Sequence, residues 1–577
     1  MIININALER IIELNIEQYY PVHSYIKLEC PKGKPDYTIL CMNQQVMTVE
    51  EYIELRRQTA NIDVNEYLIK LLQTGLKYVV FATPILLIDH KTKTPVMRNV
   101  LIEIEKLMQN GILSPHNSEI SDDQSDIPDL LKNIFPQTDG VFIGRLLYDK
   151  TDVYIPIKSL PVHIGIVGTT GAGKSNMMQV MIHGEVDHNL DVISNNIINS
   201  PLISTLAIDP HDEYALGPEG KGLYHLVNLL EPKIRKEVFG DFFYLYPRGT
   251  KIQSILNSLS SECVINYEEI IPLDILNVQD FTGQQSEVME AEYFLSQDDW
   301  IQNILNHTSE NRTMKSTGHA PSSIPAVKRR LRPLQRSNLF QLASDHTSTL
   351  SKIIEALETG KILDFNCSLL SDFEMFLFNT VVARTLFNIR KALKASATIS
   401  DFKSQLYDRL PKSFVDNYKT KLHKYIKKGE EVKDPKDMPI VVFTIEEAPS
   451  ILNPDLMRGP NIFKDIARQG RKFHISLAVI SQQMTTLDNT IITNLNTHID
   501  LPVGSDKERR SLIDNATSSI QISDLKSLEG TLGVSIINGN WLTKFQKINI
   551  PWYKKYFEEN KDKYSKYKSK GTKTPII

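Results

Sequence analysis

Cysteine is scarce and scattered in this 577-residue chain. Cys30, Cys41, Cys263 and Cys367 form no C-x-x-C pair. Their spacing excludes a disulfide framework and a thiolate zinc site, and leaves them as buried apolar filler in a reducing compartment. Long hydrophobic runs are also missing. The longest, near Val79–Ile88, is broken by Pro84 and falls far short of the about 20 residues that cross a bilayer. The opening stretch MIININALERIIEL has no basic region followed by an apolar one. No secretory signal and no membrane association are therefore expected, and the expected location is cytoplasmic. An excess of one charge is lacking too: 65 Lys and Arg stand against 69 Asp and Glu, a formal net charge of −4. Total charge announces no nucleic-acid partner, so any such surface has to be local. What remains is an ordinary soluble composition, 41% hydrophobic and 23% charged, long enough for roughly two to four domains.

The chemistry that is present concentrates in residues 161–183, PVHIGIVGTTGAGKSNMMQVMIH. The apolar run Val162–Val167 predicts a buried strand. It enters Gly168-Thr169-Thr170-Gly171-Ala172-Gly173-Lys174-Ser175, which fits G-x-x-x-x-G-K-[ST], and Met177, Met178, Met181 and Ile182 follow at helical spacing. Strand, glycine loop and helix are the context this motif needs. Glycines let backbone N–H groups turn inward around phosphate oxygens, and the helix N-terminus adds partial positive charge. ATP and Mg2+ are the expected cofactors. Gly168, Thr170, Gly171, Ala172, Gly173, Lys174, Ser175 and Asn176 are the expected nucleotide contacts, with Lys174 on the β- and γ-phosphates and Ser175 on Mg2+. The alternative is a glycine-rich turn without a ligand; the Lys-Ser pair and both flanking elements weigh against it.

A second stretch complements the first. Pro439–Ile445 predicts a buried strand and ends in Glu446-Glu447. Paired carboxylates there suit a Walker B element, Glu446 holding Mg2+ and Glu447 acting as the base on the attacking water. Ser204–Ile208 predicts another buried strand, ending in Asp209-Pro210-His211-Asp212-Glu213-Tyr214. Asp209 and Glu213 would orient water or metal, or Asp209 would only cap its own loop; both readings stay open. The strand His474–Ile480 leads to Ser481-Gln482-Gln483, where Gln482 is placed to sense the γ-phosphate. Before it, Arg468 and Arg471 in RQGRK are candidate fingers on ATP held by a neighbouring subunit, with surface ion pairing as the alternative.

The rest of the chain is less specific. Residues 1–113 read as mixed α/β, with strands at Tyr25–Leu28, Tyr37–Met42 and Tyr78–Ile88 and helices at Val49–Gln73 and Val100–Met108. Residues 114–128 are acidic and polar and read as an exposed loop. Residues 284–345 read as a helical insertion whose run Lys328-Arg329-Arg330-Leu331-Arg332, with Arg336, is either a solvated face or a phosphate contact. Residues 400–438 read as an exposed helical excursion. Between Lys554 and Lys573 stand eight lysines, read as a solvated tail, with contact to nucleic acid or to a neighbouring subunit as the alternative.

Taken in order, GTTGAGKSN, IDPHDEY, VVFTIEEAPSIL, IARQGRKFHISLAVISQQ and LNTHIDLPV resemble the HerA family, in the FtsK–HerA branch of RecA-like P-loop ATPases, over about residues 140–550. The resemblance implies an α/β fold: a RecA-like core with a mainly parallel sheet at 159–283 and 346–550 and a helical insertion at 284–345. It also implies an N-terminal domain at 1–158, β-barrel-like with added helices, for assembly or docking, and a basic tail at 551–577. VFIGRLLYDKTDVYIPI looks like the end of that barrel. The implied activity is that of an ATP-hydrolysing DNA translocase or helicase. Its partners would be double-stranded DNA in the channel of a homohexamer and a separate effector, a nuclease or a sirtuin-like NAD-consuming enzyme, bound by the N-terminal domain in DNA processing or antiphage defence. The alternative is an ATPase ring that assembles and activates an effector with little translocation of its own.

Overall fold

A computed structural model describes residues 2–6, 11–30, 36–59, 77–97, 99–112, 119–121, 123–135, 139–194, 197, 199–217, 222–343, 347–427 and 431–567. The N-terminal sheet contains β1 (Ile2–Asn6), β2 (Ile11–Ile16), β3 (Tyr25–Cys30), β4 (Tyr37–Thr48), β5 (Tyr78–Asp89), β6 (Thr94–Val96) and β7 (Glu119–Ile120). Its order is β1-β2-β5-β4-β3-β7, with β6 on β5, and every pairing is antiparallel. Pro84 stays inside β5 because the register slips opposite it, between Leu40 and Cys41, which absorbs the missing N–H. One face packs Ile12, Leu14, Ile26, Leu28 and Val80 against Ile104 of the helix Val100–Gln109. The helix expected over Val49–Gln73 is observed at Val49–Thr59; the remainder of that expectation lies outside the described residues.

The second sheet holds the expected core. Its strands are β8 (Gly140–Leu146), β9 (Asp152–Pro156), β10 (Ile164–Val167), β11 (Ile203–Asp209), β12 (Tyr244–Pro247) and β13 (Ser260–Cys263), and, after a separate pair formed by β14 (Ile265–Asn266) and β15 (Phe340–Gln341), β16 (Ile362–Asn366), β17 (Ile440–Ile445), β18 (Ile475–Ser481), β19 (Thr497–Asp500), β20 (Val534–Gly539) and β21 (Gln546–Asn549). The order is β13-β12-β16-β11-β17-β18-β10-β19-β20-β21-β8-β9. From β13 to β19 the neighbours run parallel; from β19 to β9 they alternate. The central strands are buried along their whole length, as in Ile440–Ile445, because helices cover both faces. Helices Gly283–Ser296, Trp300–Asn306 and Ser323–Arg336 form the insertion, around Val288, Met289, Trp300, Ile304, Val327 and Leu331.

Four expectations change. The hairpin β8–β9, expected to end the N-terminal domain at 158, instead extends the core sheet, because Leu146 and Arg145 pair with Ile548 and Asn549 of β21. The strand expected from Val162 starts at Ile164: Pro161 lies in a 3-10 turn and His163 has φ 59°. His163 is buried there, its Nδ1 accepting from the Leu477 N–H at 3.0 Å and its Nε2 3.0 Å from the Ala467 carbonyl. Burial pushes its imidazole down to about 4, so the ring stays neutral. The excursion at 400–438 buries Phe402, Phe414, Tyr418 and Tyr425 and is not merely exposed. The basic tail is a docked helix, Tyr553–Asn560, followed by a turn through Tyr567. Its tyrosines outweigh its lysines: Tyr556 stacks on Phe142 with ring centroids 4.8 Å apart, and the Tyr564 hydroxyl meets His183 and Asp187 of the helix Lys174–Ile193. Tail residues 568–577 lie outside the described residues. The four cysteines are free and buried, and no helix among the described residues is long and apolar enough to cross a membrane.

One buried ion pair ties the long helix Asp372–Lys394 to the sheet. Arg390 and Glu358 are both fully buried, with Nη2 and Oε2 2.8 Å apart. The remaining guanidinium N–H groups donate to the Pro435, Phe473 and Pro439 carbonyls at 3.0–3.2 Å, fixing the entries to β17 and β18. Arg390→Met would leave Glu358 buried and uncompensated. The expected loss is about 3–5 kcal/mol, read as a lower urea midpoint, and Arg390→Met with Glu358→Leu should recover most of it. Glu185, buried under β11, accepts from Thr205 Oγ1 at 2.6 Å. Burial pushes its carboxyl up to about 8 from an ordinary 4.5. The folded chain keeps that proton while the unfolded chain releases it, so this contribution is complete below the ordinary value and is lost as pH rises toward 8. Glu185→Gln should therefore gain thermal stability relative to the wild type between about pH 5 and pH 8; a pH-independent difference in melting midpoint would contradict this.

Candidate nucleotide site

The parallel run brings the carboxyl ends of its strands to one edge. Val167 pairs with Ser481 on one side and Asp500 on the other, and Ile445 pairs with Ile208 and Val479. Gly168, Gln482, Glu446, Asp209 and Asp500 therefore share one rim. The loop is fastened at its start: Gly168 N–H donates to the Ser481 carbonyl at 3.2 Å and Thr169 N–H to the Pro502 carbonyl at 2.9 Å. Gly171 and Gly173 have φ 77° and 99°, and a Cβ at either would meet nothing within 4 Å. That combination is an open cradle of backbone N–H groups above the first turn of the helix Lys174–Ile193.

The side chains expected to do chemistry converge on this cradle. Lys174 Nζ rests on the Thr169 carbonyl at 3.1 Å. Its partial burial lowers its pKa, while Glu447 and Glu446 pull it back up. Ser175 Oγ donates to Glu446 Oε1 at 3.3 Å. Thr170 Oγ1 donates to Gln482 Oε1 at 2.9 Å, and Gln482 Nε2 donates to Glu447 Oε1 at 3.3 Å. The two glutamates differ in environment. Glu446 is buried, which pushes its carboxyl up to about 7. Glu447 is half-exposed and sits at φ 48°, a left-handed turn that a non-glycine residue rarely adopts. The turn aims the second carboxylate away from the first and toward Gln482. A hydroxyl beside a buried carboxylate next to an open phosphate cradle fits Mg2+ held by Ser175 and Glu446.

Other predicted residues stand apart. Asp209 is fully buried and accepts from the His211 and Tyr214 N–H groups at 3.1 and 2.8 Å, the hydrogen bonds of a loop cap; burial pushes it up to about 6. The Glu213 carbonyl holds Gln179 at 2.9 Å, and its side chain is half-buried. Asn176 turns to the C-terminal segment, donating to the Pro551 carbonyl at 3.0 Å and accepting from the Tyr553 N–H at 2.8 Å. Arg468 and Arg471 are exposed and lie before the start of β18, about 20 Å of strand from the loop; they do not reach the site of their own chain. Two residues escaped sequence reading. His211 Nε2 lies 3.9 Å from Glu447 Oε1. Asp500 is buried beside Val167 with both oxygens unpartnered, and burial pushes it up to about 8. Each sits in a motif noted above, but neither had a spacing that marked it.

Residues 141–386 match the family described as Helicase HerA, central domain. The chain is 26% identical over 395 residues to the DNA double-strand break repair helicase HerA of Pyrococcus furiosus, a match covering 66% of this chain and 64% of that protein, just under two thirds of the relative's length. It is 24% identical over 502 residues to the probable DNA double-strand break repair helicase HerA of Methanocaldococcus jannaschii, covering 78% and 86% respectively. A bacterial conjugative coupling protein, TrwBdeltaN70, superposes with a TM-score of 0.42 at 11% identity over 73% of this chain and 91% of that one. The family match and the relatives place the likeness of this chain to HerA proteins over its P-loop core, residues 141–386.

Proposed function

We propose that this chain hydrolyses ATP to drive movement along double-stranded DNA as one subunit of a ring. The observation that carries this reading is the meeting of Lys174, Ser175, Glu446, Glu447 and Gln482 on one rim around an open phosphate cradle. Lys174 exchanges its backbone partner for the β- and γ-phosphates. Mg2+, held by Ser175 and Glu446, supplies neutralisation of phosphate charge. Glu447 takes the proton of the attacking water, and Gln482, bonded to both Thr170 and Glu447, keeps that base in register with the phosphate. Charge that develops on the transferring phosphoryl needs a further cation. Arg468 and Arg471 are far from their own loop, which suits a role on ATP bound by a neighbouring copy and supports a ring; the family resemblance supports a hexamer.

DNA contact is supported by the helix Ser323–Arg336. Lys328 and Arg330 are occupied, on the His307 carbonyl and over the Phe281 ring. Arg329, Arg332 and Arg336 are exposed at helical spacing on one side, as phosphate contacts without sequence readout require. The relatives' names are those of DNA repair helicases. Among the described residues, the N-terminal sheet contributes none to the nucleotide rim, and it is the proposed dock for a separate effector, a nuclease or NAD-consuming enzyme, in DNA processing or antiphage defence.

Steady-state ATPase measured with and without linear duplex DNA, at low and high salt, tests this reading. A DNA-stimulated rate that falls at high salt is expected, since phosphate contacts release counterions. A rate indifferent to DNA would reject the motor in favour of an ATPase scaffold. Lys174→Ala should abolish turnover and weaken nucleotide binding. Glu447→Gln should bind ATP normally and lose about 100-fold or more in turnover, measured by single-turnover hydrolysis; the same loss confined to Glu446→Gln would exchange the roles of the two glutamates.

A further inference from the structure

A cleft of ≈ 340 Å³ opens directly beside the phosphate loop. One wall is Gly171, Ala172 and Gly173; the other is Leu532, just before β20, with Ile550 and Trp552, just after β21. Trp552 is 53% exposed and Leu532 81% exposed, so two large apolar side chains stand in water next to a cradle built for polyphosphate. Charge does not claim this cleft for a second anion. Of the two cations on its lining, Arg145 is already paired with Asp152 at 3.0 Å and Glu559 at 3.4 Å, and Lys555 lies 3.9 Å from the same Glu559. The backbone on either side of Trp552 is clamped to the helix that begins at Lys174, through the two hydrogen bonds of Asn176 to Pro551 and Tyr553. The indole is thereby held at a fixed height relative to the loop.

We propose that this cleft receives the ribose and base of the bound nucleotide and that the base stacks on Trp552. A triphosphate seated on the loop has to place its nucleoside somewhere adjacent, and this cleft is continuous with the loop, lined by apolar groups and faced by an aromatic ring. Stacking of this kind tolerates any base, because every base has a π face. Trp552 is then an affinity-determining residue of the nucleotide site contributed by the C-terminal segment. The inference rests on the nucleotide reading given above.

Tryptophan emission of the full-length chain reports on it directly, because Trp300 is fully buried and Trp541 partly so. Titration with ATP or ADP should quench or shift the emission; inorganic tripolyphosphate, which fills the loop without a base, should not. Trp552→Ala should weaken ATP binding about tenfold or more and leave tripolyphosphate binding unchanged, the latter also showing that the loop is still folded. Trp552→Phe should keep most of the affinity and lose the optical signal. If the wild type binds neither ligand, the nucleotide reading itself has failed. If the wild type binds ATP and Trp552→Ala binds it equally well, or loses tripolyphosphate in step with ATP, the base-stacking assignment alone is overturned.

Discussion

Eight strands running in one direction leave their carboxyl ends on one rim, and the rest of the molecule depends on that alignment. The phosphate loop can exist only where β10 is squeezed between β18 and β19. The fit there is tight: a Cβ on Gly168 would come 2.7 Å from Leu501 Cβ and 3.3 Å from Ala172 Cβ. Glycine at this position is imposed by the neighbouring strand as much as by phosphate. The buried pair Arg390–Glu358 then fixes the opposite end of the same strands, so that both ends of β17 and β18 are held by groups that cannot shift independently.

The electrostatics of the rim follow from the same burial. Asp209, Glu446 and Asp500 all lie where the sheet excludes water, and each carboxyl is pushed up. Burial opposes the charged form at all three, and it is the largest influence on each of these carboxyls. Glu447 escapes burial because its left-handed backbone turns it outward. Two adjacent glutamates thus acquire different environments from one backbone torsion, and different chemistry can follow.

How much of this was legible in the sequence depended on how local the cause was. That the phosphate loop, the paired glutamates and Gln482 meet on one rim was legible, because each follows an apolar strand of the parallel run. The left-handed turn at Glu447 was not, since nothing in Glu446-Glu447-Ala448 signals a positive φ. The docked C-terminal segment was misjudged because lysines dominate its count, whereas Tyr553, Tyr556 and Tyr564 at helical intervals carry its burial. The hairpin β8–β9 was assigned to the wrong sheet because its partner strand is remote in sequence, and alternation reveals a strand without revealing its neighbour. Asp209 shows the converse: an acid at a strand end reads equally well as ligand or cap, and the hydrogen bonds from His211 and Tyr214 favour the cap.

The pairing of β8 with β21 has a bearing on how the chain reaches its fold. Leu146 meets Ile548 across about 400 residues of intervening chain, and β20 and β21 must already be present to bridge β19 to the hairpin. On a ribosome, the first hairpin of the core emerges long before its docking strand is synthesised. It must wait with one edge unpaired, exposed to the mispairing that such edges invite. The parallel strands in between can associate earlier, but closure of the twelve-stranded sheet waits for β21 and has a high contact order. The slow step of folding is then expected to be the arrival of residues 534–556, the same segment that completes the surroundings of the phosphate loop, so that the nucleotide site matures last.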